Sequence, residues 1–190
     1  MTQPWKPNVT VAAIVERAGR FLLVEEHTPE GARLNQPAGH LESGETLLQA
    51  VVRETLEESA CDFLPTALLG LYLLPKGPLP GDVTYLRVAF IGAITGHYPE
   101  RALDTDIIRT LWLTREEIAQ QSARLRSPLV LRCVDDYLAG QQGSLDLVCG
   151  ERPLPRPLPQ AGEGVDLPLD ARAEPVNAPS PACGRGRGRG

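Results

Sequence analysis

The chain has 190 residues, 42% of them hydrophobic, and a formal net charge of −5. That is enough apolar material for one buried core, an aliphatic one given only three Phe, two Trp and four Tyr. The acidic balance argues against nucleic acid gripped by a basic surface, and no apolar run approaches the ~20 residues that span a bilayer.

The start, MTQPWKPNVT, lacks the apolar stretch of a secretory signal. Cys61, Cys133, Cys149 and Cys183 stand at no metal-binding spacing. Together these features predict a cytoplasmic protein with reduced thiols. NVTVAAIVER and GRFLLVEEH flank Ala18-Gly19 and predict a β-hairpin. TPEGARLNQPAGH, broken by Pro29, Gly31, Pro37 and Gly39, predicts a loop. Ser43 then offers an N-cap, with Glu45 in the first turn of a helix running to Ser59.

FLPTALLGLYLLP and VTYLRVAFIGAIT predict strands around the turn-rich PKGPLPGD, and IIRTLWLT predicts another. Thr114 with Glu117 three residues on is a capping-box signature, and SPLVLRCVDDYLAGQ predicts a last helix ending at Gly140. Mixed strands with one early and two late helices predict an α/β sandwich, not a doubly wound sheet.

Beyond residue 150 the composition changes: 8 Pro and 6 Gly fall in the last 40 positions, ending in GRGRGRG. Such a segment buries too little to offset its ordering entropy, so the expectation is a domain over 1–150 and a disordered tail over 151–190. Two other readings of the tail are a weak RNA-binding Arg-Gly segment and the translation of an inverted-repeat DNA element.

The chemistry concentrates in GHLESGETLLQAVVRETLEESAC. With Glu54 set at zero, Leu48, Val51, Val52 and Thr55 fall between about 60° and 160° at 100° per residue, while Glu54, Glu57 and Glu58 share an arc about 100° wide. The carboxylates therefore border the apolar face. Glu54 and Glu58 repel each other at i,i+4 spacing. A solvated charged face is the bland explanation of such crowding. The sharper one is a hard, all-oxygen site for Mg²⁺ or Mn²⁺, joined by the Gly39 carbonyl.

The same residues carry a resemblance. Gly39, Glu45, Arg53, Glu54, Thr55, Glu57 and Glu58 fit the pattern G-x5-E-x7-R-E-U-x-E-E-x-G-U of the Nudix hydrolases, with Ala60 replacing the second glycine and Cys61 at the last apolar position. WKPNVTVA, NQPAGHLE, DTDI, LW and LRSPLV extend the likeness, over about residues 5 to 148, to the phosphatase NudJ group of that family. The resemblance implies a Nudix-type α/β/α sandwich with a mixed sheet. It also implies Mg²⁺-dependent hydrolysis of phosphoanhydrides: nucleoside tri- and diphosphates giving orthophosphate, and hydroxymethylpyrimidine pyrophosphate as a further substrate. It assigns metal binding and catalysis to Glu54, Glu57 and Glu58, with Gly39 assisting, and gives Glu45 and Arg53 a supporting role.

His40, Asp104 and Asp106 are candidate substrate or extra metal contacts, set against the plainer view of them as solvated loop residues. Lys76 and Arg87 are isolated basic residues that could meet a phosphate. Trp5, Tyr72, Tyr85 and Trp112 are better explained by packing than by base stacking. Two other functions compete: an ADP-ribose-type pyrophosphatase, hinted at by Pro75, and a non-catalytic nucleotide-binding module of the same fold. The expected partner is a small nucleotide or pyrophosphate substrate, with no membrane or nucleic acid, and the protein is expected to be a monomer.

Overall fold

A computed structural model describes residues 5–77 and 83–148. The tail expected over 151–190, and residues 78–82 of the turn-rich stretch, lie outside the described residues. β1 (Asn8–Arg17) and β2 (Arg20–Thr28) form the expected hairpin. Its two turn residues, Ala18 and Gly19, both take positive φ, 52° and 77°, which matches the right-handed twist of the flanking strands.

The stretch expected as loop contains two strands instead, β3 (Gly31–Asn35) and β4 (Ala38–His40). Its breakers sit where a sheet tolerates them. Gly31, at φ 100°, makes the tight return from β2. Pro37 falls between the strands, where no ladder N–H is needed, and its carbonyl accepts the Ala13 N–H at 2.9 Å.

The first helix, α1 (Leu47–Ser59), begins later than expected. Thr46, not Ser43, is the N-cap: its Oγ1 accepts the Gln49 N–H at 3.2 Å, while Gln49 Oε1 accepts the Thr46 N–H at 2.8 Å. This reciprocal pair satisfies two helix-end donors at once. Glu45 consequently lies before the helix and not in its first turn. At the other end, Ala60 adopts the left-handed conformation (φ 53°, ψ 30°) that glycine would occupy freely. The conformation costs alanine about 1–2 kcal/mol. Against that, its buried methyl contributes about 0.8 kcal/mol and the stiffer unfolded chain about 0.5–1 kcal/mol. The terms nearly cancel, so the missing glycine is tolerated.

β5 (Cys61–Pro75) and β6 (Thr84–His97) form a long antiparallel pair, and β7 (Ile107–Leu113) joins β2. α2 (Arg115–Gln120) has the expected capping box on Thr114 and Glu117. α3 (Leu129–Leu138) stops two residues short of Gly140. β1 runs parallel to β6 along one edge, while its other edge meets β4 and then β2, both antiparallel. The sheet is therefore mixed.

Because β1 is covered on both faces, it reads as a continuous apolar run. Val11, Ala13 and Val15 pack with Ala50 and Val51 of α1. Ala12 and Ile14 pack with Val130, Cys133 and Val134 of α3 and Ile118 of α2. That is the expected α/β/α sandwich. No helix among the described residues is long and apolar enough to cross a membrane.

Candidate active site

The acidic end of α1 lies over β4. Glu54 and Glu58 are only 8% and 9% exposed, on the border of the stripe formed by Ala50, Val51 and Thr55. Arg53 organises them. Its Nε and Nη2 donate to Glu45 (3.1 and 2.7 Å), Nη1 to Glu54 Oε1 (2.8 Å) and Glu57 Oε2 (3.0 Å), and Nη2 also to the His40 carbonyl (3.1 Å). A guanidinium carries five N–H donors, and these bonds occupy all of them. Glu45 is fixed in turn by the Glu42 N–H at 2.7 Å. The three carboxylates hold the Arg53 proton more tightly than in free arginine, Glu45 contributing most, and keep it charged.

Gly39 sits directly under Glu54. A Cβ built at position 39 would fall on the Glu54 carboxylate, far inside contact distance. The glycine is needed for that close approach rather than for backbone freedom. Next to it, Glu58 Oε2 accepts the Ala38 N–H at 2.8 Å.

Burial raises the Glu54 carboxyl above its ordinary value, and pushes Glu58 further, to about 8, with Glu54, Glu26 and Asp104 adding repulsion. Negative charge is thus packed here beyond what Arg53 neutralises. Among the described residues no three His, Cys, Asp or Glu side chains already converge as a closed metal cage, because Glu54 and Glu57 are turned onto Arg53. The donor set is nonetheless all oxygen, crowded and under-compensated, which fits a hard divalent cation.

These residues line a cavity of about 530 Å³. His40, Asp104 and Asp106 line it too, so the structure brings together every candidate site residue except Glu45, which sits behind Arg53. The Asp104 N–H donates to the Glu57 carbonyl at 3.1 Å, and the Asp106 carbonyl accepts the His27 N–H at 2.8 Å, which pins the acidic loop beside α1. The His40 ring faces Tyr85 at 6.0 Å between centroids. Trp112 packs against the core with Arg17 over its ring, and Tyr72 donates to Asp136 at 3.0 Å. Trp5 is 62% exposed and is thus not a packing residue.

Glu26, Asn35, Arg87, Arg126 and Ser127 also line the cavity. Of these the sequence singled out Arg87 alone, as an isolated basic residue that could meet a phosphate. The sequence signal for Glu26 is a pair of acids following the apolar run of β2; in the structure the β2–β7 ladder shifts register between Glu25 and Glu26. Such a bulge re-aims side chains. Here Glu25 pairs with Arg109 and Arg124, while Glu26 turns into the cavity.

Residues 5–132 match the NUDIX domain family. Phosphatase NudJ from Escherichia coli (strain K12) is 38% identical over 144 residues, 76% of this chain and 92% of that protein. A NUDIX hydrolase from Nitrosomonas europaea is 46% identical, with a TM-score of 0.71 over 76% of this chain and 97% of the other. The MutT NUDIX hydrolase from Burkholderia pseudomallei is 19% identical, with a TM-score of 0.58 over 70% of this chain and 98% of the other, and shares the fold alone. A family match over most of the chain, on a site with this construction, makes the protein an enzyme of the Nudix hydrolase family.

Proposed function

We propose that the domain over residues 1–150 is a Mg²⁺-dependent phosphohydrolase, with Mn²⁺ as a substitute, that releases orthophosphate from nucleoside tri- and diphosphates. Hydroxymethylpyrimidine pyrophosphate is a further substrate of the same chemistry. One observation carries this reading: Glu54, Glu57 and Glu58 meet at a cavity with a deficit of positive charge. The 38% identity to proteins named phosphatase supports orthophosphate as the product.

Glu54, Glu57 and Glu58 hold the cation, assisted by the Gly39 carbonyl. When bound, it neutralises phosphate oxygens and makes a nearby water more acidic. Arg53 keeps Glu54 and Glu57 in register, and Glu45 keeps Arg53 in place. One of the crowded carboxylates accepts the water's proton; close carboxylates titrate as a group, so the proton belongs to the set. His40, Asp104 and Asp106 supply the remaining contacts around the substrate. The enzyme acts in the cytoplasm as a monomer on a small soluble substrate.

Glu57→Gln and Glu58→Gln are expected to abolish Mg²⁺-dependent orthophosphate release without changing the circular dichroism spectrum. Retained activity in both would sink the metal-site assignment. Incubation with ADP-ribose separates the alternative chemistry, which yields two monophosphates and no orthophosphate.

A further inference from the structure

Arg87 is a buried cation in an unusual position. It is 8% exposed, on β6, beside Thr10 of β1 and Tyr72 of β5, and it lines the cavity. Nη1 donates to Gln36 Oε1 and Nη2 to Asn35 Oδ1, each at 3.2 Å. Both acceptors are neutral amides. The orientation of Gln36 is fixed, because its amide N–H donates to the Val130 carbonyl at 2.8 Å and leaves only Oε1 for the arginine. The Cys133 thiol is a third side-chain partner of Arg87, and Glu26 and Glu58 act on it through space.

A guanidinium stays charged and has five donors in a flat fork suited to phosphate. Arg87 is thus held rigid, desolvated and short of a counter-charge, with donors left over. Independently, the Ser127 Oγ, which lines the same cavity, is buried with no hydrogen-bond partner among the described residues, as is the Glu26 Oε1. Two residues later α3 begins; no side chain caps its N-terminus, although the Ser127 carbonyl accepts the Val130 N–H at 3.2 Å. A helix N-terminus favours an anion.

We propose that Arg87, Ser127 and the open N-terminus of α3 form a second phosphate subsite, which takes the phosphate adjoining the one engaged at the carboxylates. The inference rests on the phosphohydrolase reading and deepens it: the enzyme grips a diphosphate unit at both ends, whatever group lies beyond. An arginine fork also reads the guanine edge. Phosphate is favoured because Arg87 feels Glu26 and Glu58, which places it toward the carboxylate end, and because a hydroxyl and a helix end accompany it.

The test is calorimetric binding, in Mg²⁺, of methylenediphosphonate (a non-hydrolysable diphosphate) and of inorganic phosphate. For Arg87→Met, losing a charge-assisted fork should weaken the diphosphonate by about 10- to 100-fold while phosphate changes less than about twofold. Arg87→Lys should recover part of the loss. Ser127→Ala, which leaves the core untouched, should weaken the diphosphonate by about 3- to 10-fold. The subsite is overturned if both Arg87→Met and Ser127→Ala bind the diphosphonate as the parent does. Equal loss of both ligands, or a changed base preference with unchanged diphosphonate affinity, overturns it too. So does a parent enzyme that turns over nucleotide yet ignores the diphosphonate. A parent that releases no orthophosphate from any nucleoside phosphate refutes the underlying function instead.

Discussion

Replacing Arg53 by lysine separates charge from geometry. Lysine keeps the positive charge but has three donors on one nitrogen. Glu45, Glu54, Glu57 and the His40 carbonyl are reached in the structure by three different nitrogens of Arg53. At least two of those five bonds must be lost. At about 1 kcal/mol net for each, the variant should be about 2 kcal/mol less stable, a drop in Tm of roughly 4–8 °C for a domain of this size. Activity should fall much further. Glu54 and Glu57 lose their common tether, and a misplacement near 1 Å costs up to about 100-fold in rate. The assays are a thermal melt and Mg²⁺-dependent orthophosphate release. A folded Arg53→Lys enzyme with kcat within threefold of the parent would refute the reasoning, since charge alone would then suffice.

Gly39→Ala places a methyl on the Glu54 carboxylate, so Mg²⁺ affinity and kcat should each fall at least about tenfold with the melt little changed; unchanged Mg²⁺ titration contradicts this. The Glu58 carboxyl is raised to about 8 in the folded chain from an ordinary 4.5. A raised acid stabilises the fold below its unfolded value and loses that contribution as pH rises through the folded one. In EDTA, Tm should therefore decline between pH 5 and pH 8, Mg²⁺ should restore it at pH 8, and Glu58→Gln should flatten the decline; a flat parent profile counts against it. Burial pushes the Cys133 thiol to about 11 from 9.0, so native Cys133 should resist alkylation at pH 8 by peptide mapping. The unfolded thiol ionises first, so stability should fall above pH 9, and Cys133→Ala should lessen the fall.

The part of the site read most directly from the sequence is the acidic cluster of one helix and the loop just before it, with His40, Asp104 and Asp106 added as loop candidates. Glu54, Glu57 and Glu58 are close in space because i,i+3 and i,i+4 spacing makes them so, and Arg53 and Glu45 follow from the same pattern. Arg87, Glu26 and Ser127 come from three distant segments, and only tertiary packing brings them to one cavity. Arg87 was visible as a lone charge in the apolar run of β6, yet nothing local told whether it faced solvent. Local signals also misjudged residues 28–40. Proline and glycine predicted a loop, but pairing with β1 and β2 supplied hydrogen bonds that override propensity. At the helix start two hydroxyls competed, Ser43 and Thr46. The Gln49 side chain, reaching back to the Thr46 N–H, decided it.

Two of the three arginines lining the cavity, Arg53 and Arg87, show why its charges are arranged as they are. Arg53 has no donor left and three carboxylates around it, so it can only hold the site together. Arg87 is more deeply buried, and its partners among the described residues are the neutral amides of Asn35 and Gln36 and the Cys133 thiol, which is the basis for proposing that it receives an anion. Around them, seven carboxylates face four cationic side chains in the cavity lining. Even with Glu58 protonated the balance is negative, and a free polyphosphate entering it would be repelled. A divalent cation would reverse that balance at the α1 end, and Arg87 adds positive charge beside Glu26 and Glu58. On the proposed function, the substrate therefore has to arrive with its metal or after it. That requirement follows from the excess of carboxylates over cations and is independent of which base or leaving group the substrate carries.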